Sequence, residues 1–299
     1  MASKKILSAS RRTDIPAFYM DWFMASIEKG AFDVVNPYNQ HHRQVPAGPL
    51  DVHSIVFWSK NFGPFLEGNF DRRLQQKGYN LFFNFTINTA VSILEPHVPP
   101  LRERIRQMAA LSRRHDPRTI TWRFDPVCFF RTRQNDAIRR NLGALATIAD
   151  ALADLGIRRC ITSFVDLYRK ILSRLPAAGL DFVDPPLEVK CETLLAMQKI
   201  LASKRIALGV CCEQSVLDAL PPLSGIRSGE CIPGPLLARI YGTDLTLKKD
   251  QGQRRSRGCT CNQAVDIGSY HHHPCFHNCI FCYANPREPT RRSPERKQH

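Results

Sequence analysis

The feature that most constrains this chain is the density of cysteine between Cys259 and Asn285. These 27 residues hold five of the eleven cysteines in the sequence. Three of the five, Cys275, Cys279 and Cys282, have the spacing Cys-x3-Cys-x2-Cys. Short loops between ligands lower the entropic cost of bringing several thiolates to one metal centre. Because three thiolates leave one position of a cubane cluster without a local protein ligand, the triad predicts an open site that binds substrate or cofactor directly.

A structural zinc site is the alternative for the same segment. Zinc accepts mixed cysteine and histidine ligands. The cysteines that would form it are Cys259, Cys261, Cys275 and Cys279, and the alternate histidine ligands are His271, His272, His273 and His277.

The remaining cysteines fall into two groups. Cys211 lies at the end of the last predicted barrel strand and Cys231 in the loop after it. With Cys259 and Cys261 they predict a second four-thiolate site, for either zinc or a second iron–sulfur cluster; the alternative is ordinary buried thiols. Three others are predicted core residues because they lie in apolar segments. These are Cys128, Cys160 and Cys191.

An aromatic residue, Phe281, precedes the last cysteine of the triad. With it, the triad resembles the signature of radical S-adenosylmethionine enzymes. The continuation Cys282-Tyr283-Ala284 resembles spore photoproduct lyase, a radical enzyme that reverses a thymine lesion in DNA. The resemblance implies that the triad binds a [4Fe-4S] cluster, that the open iron chelates S-adenosylmethionine, and that Phe281 packs on the adenine.

Over nearly its full length the chain is similar to a bacterial family known as domain-of-unknown-function family 1848. The segments that carry the similarity are residues 10–16, 58–61, 123–126 and the cysteine-rich segment. Radical enzymes usually carry the triad near the start of their barrel, whereas here it follows the predicted strands. The resemblance therefore implies a circularly rearranged barrel.

Apolar runs typical of buried strands alternate with helical patterns. The predicted strands are residues 5–10, 32–37, 53–58, 80–88, 119–124, 159–165 and 206–212. The most regular helical pattern runs from about Asn135 to Leu155. This alternation predicts an α/β fold of parallel units. No glycine-rich nucleotide turn follows the first strand, which favours a TIM-like barrel, whole or partial, over an open doubly wound sheet.

The sequence divides into four predicted segments. A β/α barrel domain occupies residues 1–247, and a basic linker, 248–258, leads to the iron–sulfur segment, 259–285. Residues 286–299 are predicted to be a basic disordered tail.

Polar residues follow the predicted strands at the points where they end. In β/α barrels these ends surround a common mouth, so their side chains are candidates for catalysis. The catalytic candidates are Arg11, Asp14, Lys60, Asp125 and Glu213. Any one of them alone is more often a helix cap or an ion-pair partner.

Arg123 and Asp125 lie two apart on one strand, so their side chains point to the same side. This pair is expected either to hold the ribose or carboxylate of a bound nucleoside or to form a structural ion pair. Arg123 is therefore a predicted cofactor-binding residue, and the resemblance adds Phe281 and Tyr283.

Charge and hydropathy bear on the partners and the location. The net charge of +15 favours a polyanion such as DNA, although a basic face in solvent explains it equally well. Six arginines lie between residues 102 and 118. No apolar run reaches about eighteen residues, and no apolar signal core follows the first lysines, so a cytoplasmic protein with no membrane partner is expected. Eleven cysteines in such a protein indicate metal or redox chemistry rather than disulfides.

Two functions are therefore expected. The first is a radical S-adenosylmethionine-like enzyme that needs an electron donor and acts on an unknown substrate, such as nucleic acid. The second is a basic nucleic-acid-binding barrel with a structural zinc or iron–sulfur tail. The chain carries no Gly-x-Ser-x-Gly, P-loop lysine or His-Glu-x-x-His motif, so serine hydrolase, phosphoryl-transfer and zincin chemistry have no support.

Overall fold

A computed structural model describes residues 3–36, 39, 41–252 and 254–285. The predicted tail, residues 286–299, lies outside the described residues. In chain order the strands are β1 (Lys5–Ala9), β2 (Ala31–Val35), β3 (His42–Pro46), β4 (Val52–Ser59), β5 (Asn80–Thr86), β6 (Ile120–Val127), β7 (Phe129–Thr132), β8 (Asn135–Arg140), β9 (Arg159–Phe164), β10 (Leu180–Phe182), β11 (Ala207–Val210), β12 (Arg227–Ser228) and β13 (Val265–Asp266).

The helices are α1 (Ile15–Phe18), α2 (Met20–Lys29), α3 (Gly63–Glu67), α4 (Phe70–Gln76), α5 (Leu101–Arg114), α6 (Leu145–Asp154), α7 (Arg169–Leu172), α8 (Leu175–Ala178), α9 (Leu187–Ser203), α10 (Gln214–Ala219) and α11 (Gly234–Tyr241). Two 3-10 turns occupy Pro117–Thr119 and Arg255–Arg257. The helices of the described residues are too short or too polar to cross a bilayer.

Eight parallel strands form the main sheet. Their order is β13-β1-β4-β5-β6-β9-β11-β12. From β1 to β12 the spatial order follows the chain order, and helices lie in the connections. The predicted α/β fold with parallel strands is therefore confirmed.

The central strands are parallel and covered on both faces, which explains their continuous apolar runs. All eight residues of β4 are buried, as are six of the seven residues of β5. Alternate side chains point to opposite faces and serve separate cores. Phe57 and Phe83 join the larger core with most of the helices, whereas Trp58 and Phe82 pack with Leu237 of α11. Each such large apolar side chain stabilises the fold by about 1.5–3 kcal/mol.

The strand β13 comes from the predicted iron–sulfur segment and lies beside β1. Leu7 pairs with Val265, and Ser8 pairs with Asp266. The Asp266 side chain, 8% exposed, accepts hydrogen bonds from Ser8 Oγ (3.1 Å), Ser10 Oγ (2.5 Å) and the backbone N–H of Arg11 (2.7 Å). This carboxylate therefore joins the two ends of the described chain.

The helix predicted from Asn135 to Leu155 is wrong in its first half. Asn135–Arg140 forms β8, which pairs antiparallel with β7, and the helix α6 begins only at Leu145. Ile138 supplied part of the helical pattern, yet it is 51% exposed. The hairpin pairing with β7 overrides the local periodicity here.

The predicted linker packs against the main domain in its described part. Arg11 Nη1 is 3.1 Å from Asp250 Oδ2, and Arg254 Nη2 is 3.5 Å from Asp166 Oδ2. Arg257, in the second 3-10 turn, also pairs with Asp166. These ion pairs hold the segment close to the ends of β1 and β9.

Gly268 is expected to be intolerant of a side chain, because a Cβ there would lie 2.7 Å from Ser10 Cβ. We expect Gly268→Ala to lower the free energy of unfolding by about 1–3 kcal/mol, as overpacking of a close contact does. Denaturant unfolding would measure it. Gly143→Ala is the matched control, since a Cβ at Gly143 meets nothing within 4 Å. Equal losses in the two variants would contradict the steric explanation.

Candidate metal centre

The chain after β13 lies across the carboxyl end of β1. The Tyr283 hydroxyl donates to the carbonyl oxygen of Arg11 at 2.7 Å, and the Tyr19 hydroxyl donates to that of Pro274 at 2.6 Å. His277 Nε2 is 2.8 Å from Asp14 Oδ2. Together these contacts hold the loop of the cysteine triad at the edge of the sheet where catalytic residues of parallel β/α folds collect.

Asp14 joins this loop to two strands. It caps α1 by accepting from the backbone N–H of Ala17 at 3.0 Å. Its other oxygen accepts from Ser59 Oγ (2.9 Å) and the backbone N–H of Lys60 (2.8 Å), both at the end of β4, and also contacts His277. Both oxygens of Asp14 are therefore engaged, and the geometry gives it a positioning role. Its predicted catalytic role stays a prediction.

The triad cysteines come together in a largely buried loop. Cys279 is 2% exposed, and Cys275 and Cys282 are half-buried. Burial raises the pKa of Cys275 and of Cys279, and the charges of neighbouring triad thiols raise both pKa values further. The three thiols therefore lie near enough to influence one another electrostatically.

Two cations and one carboxylate lie beside Cys279. Lys60 Nζ donates to Glu95 Oε1 at 2.6 Å, and Arg104 Nη1 is 3.8 Å from Glu95 Oε2. Arg104 and Glu95 are buried, at 1% and 5% exposure. Burial tends to lower the pKa of Lys60, but the charges of Glu95 and then Cys279 raise it overall. The site thus carries fixed positive charge next to the most buried thiol of the triad.

Part of this group has no hydrogen-bond partner among the described residues. The unpartnered atoms are Arg104 Nε, Arg104 Nη1 and Glu95 Oε2. A buried polar group without a partner costs about 1–3 kcal/mol. The guanidinium of Arg104 therefore offers donors to an anionic ligand at this position.

The predicted cofactor-binding aromatics lie in the same region. Phe281 is 7% exposed, and Lys60 Nζ lies 5.2 Å from its ring centroid. Burial raises the pKa of Tyr283 to about 12, and the guanidinium carbon of Arg254 lies 5.7 Å from that ring. Both rings sit beside a cation, as cation–π contacts require.

Two other catalytic candidates lie further along the sheet. Asp125 accepts from Arg123 Nη2 at 2.7 Å and from Ser163 Oγ at 2.5 Å. The structural ion pair expected as one alternative for Arg123 and Asp125 is therefore present. Glu213 accepts from the backbone N–H of Phe164 at 3.0 Å, and burial raises the pKa of Glu213 to about 6. A carboxyl group with that pKa is suited to proton transfer near neutral pH.

A second group of thiols, here called the inner thiol cluster, lies on the α11 side of the sheet. Its five members are Cys211, Cys212, Cys231, Cys259 and Cys261. Four of them form the predicted second site, and Cys212 is an addition that sequence reasoning did not include. The zinc set predicted from Cys259, Cys261, Cys275 and Cys279 is divided, because Cys259 and Cys261 pack in one apolar cluster and Cys279 packs in another.

Sequence reasoning did not place Glu95 and Arg104 in the site. It also missed the role of His277. Glu95 lies in an irregular segment after β5, where no pattern singles it out. Arg104 is one of several arginines in α5, and their pattern indicates only a basic surface. His277 was considered only as an alternate zinc ligand, and its partner Asp14 is 263 residues away.

The arginines between residues 102 and 118 are mostly paired. Arg104 faces Glu95, Arg106 pairs with Glu103, Arg114 lies 3.3 Å from Asp71 Oδ1, and Arg118 lies 2.5 Å from Asp116. These carboxylates offset much of the helix's positive charge. The case for α5 as a nucleic-acid surface is therefore weaker than its sequence indicated.

As they stand, no three His, Cys, Asp or Glu side chains of the described residues are arranged so that they could hold a single metal ion. A cubane cluster distributes its thiolates over separate irons, so its ligands need not meet at one point. The lack of a single-ion arrangement among the described residues is therefore compatible with a cluster at the triad.

Comparison with known proteins supports a family assignment. The chain has no significant match among curated proteins. The family model described as Domain of unknown function (DUF1848) matches residues 6–284. That span is most of the chain and includes the segments that predicted this family, so the chain belongs to the DUF1848 family.

Proposed function

We propose that the protein is an iron–sulfur enzyme that uses S-adenosylmethionine for radical chemistry. The observation that carries the proposal is the position of the triad: three mutually interacting cysteines at the carboxyl edge of a parallel sheet, beside Lys60 and the buried Arg104. In this proposal Cys275, Cys279 and Cys282 hold a [4Fe-4S] cluster. When bound, the cluster supplies the electron that cleaves S-adenosylmethionine and so starts radical chemistry on the substrate.

The residues present fit such a group. Three cysteines at short spacing are suitable iron–sulfur ligands and leave one iron for another ligand. The unpartnered N–H groups of Arg104 suit a carboxylate or the negative charge of the cluster itself. Lys60 pairs with one oxygen of Glu95, and Arg104 lies near the other oxygen. Lys60 would therefore also stabilise the negative charge of the ligand or cluster. This balance of charges supports the proposal independently of the cysteine spacing.

The protein's own part in the reaction is to bind, orient and exclude water. Phe281 supplies a buried apolar face for the adenine, and Lys60 fixes one side of that ring. The contacts of Asp14 and His277 hold the triad loop in place. Glu213, with a pKa of about 6, is the candidate for proton transfer. The pair of Arg123 and Asp125 is the candidate for a contact to the nucleoside. Arg11 closes the site through its carbonyl contact with Tyr283.

We propose further that the sheet curves into a partial, circularly rearranged barrel. Two observations support this. β13 lies beside β1, so the triad follows a strand at the start of the spatial order, as in the radical enzymes that it resembles. The segment just before β13 also contacts β12: Thr260 Oγ1 lies 2.9 Å from Ser228 Oγ.

The substrate, the electron donor and a cytoplasmic location remain parts of this proposal. The excess of positive charge favours a polyanionic substrate such as DNA.

Anaerobic reconstitution with iron and sulfide tests the proposed function. We expect iron and sulfide to bind together, with the charge-transfer absorbance of thiolate-bound iron. Adding a reductant and S-adenosylmethionine should then release 5′-deoxyadenosine. A colourless protein after reconstitution would exclude the cluster. A reconstituted cluster that never cleaves S-adenosylmethionine would leave the structural alternative.

A charge-removing variant tests the role of the buried arginine. We expect Arg104→Met to leave iron binding largely intact but to make the cluster harder to reduce, because a nearby positive charge that favours the reduced form is gone. A redox titration followed by electron paramagnetic resonance measures the midpoint potential. Arg102→Met, on the exposed part of the same helix, is the control and should not change it. Identical potentials in both variants would show that Arg104 does not face the cluster.

A further inference from the structure

The inner thiol cluster gathers cysteines from three separate parts of the chain. Cys211 and Cys212 follow β11, Cys231 follows β12, and Cys259 and Cys261 lie before β13. The Sγ atoms of Cys211 and Cys212 are 3.4 Å apart. Cys211 also interacts directly with the thiols of Cys231, Cys259 and Cys261, so it lies at the centre of the group.

Ordinary core packing does not account for this group. Isolated buried cysteines of the same chain, such as Cys160, have a pKa raised by burial and have no direct thiol neighbour among their interactions. In the inner thiol cluster, direct contacts between thiols dominate instead: Cys259 interacts with Cys211, Cys212 and Cys261. All five are free thiols, so no disulfide explains the contact.

Two arginines interact with thiols of the inner thiol cluster. Burial tends to lower the pKa of Arg123, but the charges of Asp125, Cys231 and Cys211 raise it overall. Arg123 Nε is buried with no hydrogen-bond partner among the described residues. The charge of Cys212 also acts on Arg254. Positive charges beside the cluster would offset the negative charge that thiolate ligands carry.

The spacing of the thiols suits a single ion better than a cubane cluster. Tetrahedral zinc with Zn–S bonds of about 2.3 Å holds its sulfurs about 3.8 Å apart. Cys211 is in direct contact with Cys231, Cys259 and Cys261, as close spacing around one ion requires.

We propose that the inner thiol cluster is a structural zinc site with Cys211, Cys231, Cys259 and Cys261 as ligands. The described side chains contact one another and do not yet surround a common point. Binding therefore requires side-chain rotations that direct the four thiols toward a common point. Cys212 is the fifth thiol and stays outside the site, because its charge acts on Arg254. Closed four-thiolate sites are typical of structural zinc.

Such a site would hold the segment just before β13 in place. It would connect the ends of β11 and β12 to residues 259–261, which lie just before the strand that pairs with β1. The triad loop begins after that strand. The zinc would thus position the proposed catalytic loop without taking part in its chemistry, and the site does not depend on the function proposed for the triad.

Metal analysis of the full-length protein and three variants tests the site. Protein from zinc-supplemented cells should contain about one zinc ion per chain. The double variant Cys259→Ser/Cys261→Ser should lose at least nine-tenths of that zinc. Cys212→Ser should retain it, and so should Cys279→Ala, which removes a triad thiol. Substitution with Co²⁺ should give the visible absorption of tetrahedral thiolate coordination in the wild type and not in the double variant.

Three outcomes would overturn the proposal. One is wild-type protein without zinc that also fails to bind added Zn²⁺ or Co²⁺. Another is iron and sulfide that remain in Cys279→Ala and disappear in the double variant, which would assign a second iron–sulfur cluster to these thiols. The third is equal zinc loss in Cys212→Ser and Cys231→Ser, which would contradict the assignment of the four ligands. If the double variant does not fold, Cys231→Ser alone serves the same comparison.

Discussion

Cys279→Ala should abolish iron–sulfur binding at the triad. Cys279 is the middle ligand of Cys-x3-Cys-x2-Cys and, at 2% exposure, the most buried of the three. Its loss leaves two thiolates, Cys275 and Cys282, which hold a cubane poorly. We expect iron and sulfide after anaerobic reconstitution to fall at least tenfold. Metal analysis and the charge-transfer absorbance of the reconstituted protein measure the loss.

Cys160→Ala is the matched control for this variant. Cys160 is a fully buried cysteine of β9 and packs in the larger core, away from the triad. The substitution removes only a small buried side chain, and a cost of about 1 kcal/mol in stability is expected. Its iron content should equal that of the wild type. Equal losses of iron in the two variants would show that general destabilisation, not loss of a ligand, explains the result.

Asp266→Ala should cause the largest loss of stability among the substitutions considered for this protein. The carboxylate accepts hydrogen bonds from Ser8, Ser10 and the backbone N–H groups of Arg11 and Gly268. Removing a buried charged partner from such a network costs about 3–5 kcal/mol. We expect that loss in the free energy of unfolding by denaturant titration. Limited proteolysis should also cleave the segment around β13 sooner than in the wild type.

Asp244→Ala provides the comparison for Asp266→Ala. Asp244 also pairs with a residue near β1, because its Oδ2 lies 2.9 Å from Lys4 Nζ, but its side chain is 50% exposed. Exposed ion pairs contribute less than about 1 kcal/mol. A similar loss in both variants would mean that the position of Asp266 beside β1 does not matter. A loss confined to Asp266→Ala would show that this carboxylate holds β13 beside β1.

Much of the fold could be predicted from the sequence because parallel, buried strands have a strong local signal. The apolar runs of Val52–Ser59 and Asn80–Thr86 are continuous, as expected of strands covered on both faces. The antiparallel hairpin of β7 and β8 could not be predicted in the same way. Its residues carry a helical pattern, and only pairing with another segment decides their structure.

The candidate site was predictable only where its residues share a short segment. The triad is visible because Cys275, Cys279 and Cys282 lie within eight residues. The contacts of Lys60 and Arg104 with Glu95 depend on how three separate segments pack, and nothing in their local sequence encodes them. Burial gives these charged residues their importance, and burial of a single arginine within a charged helix has no sequence pattern.

The pairing of β13 with β1 also has a consequence for the order of synthesis. Ser10 and Asp266, which this pairing joins, are separated by 256 residues. At a translation rate of 5–20 residues per second, about 13–50 s pass between the synthesis of β1 and that of its partner strand β13. During that time the nascent chain exposes an unsatisfied strand edge, which is a template for aggregation. Protection of that edge by a chaperone would therefore matter most for this protein before β13 leaves the ribosome.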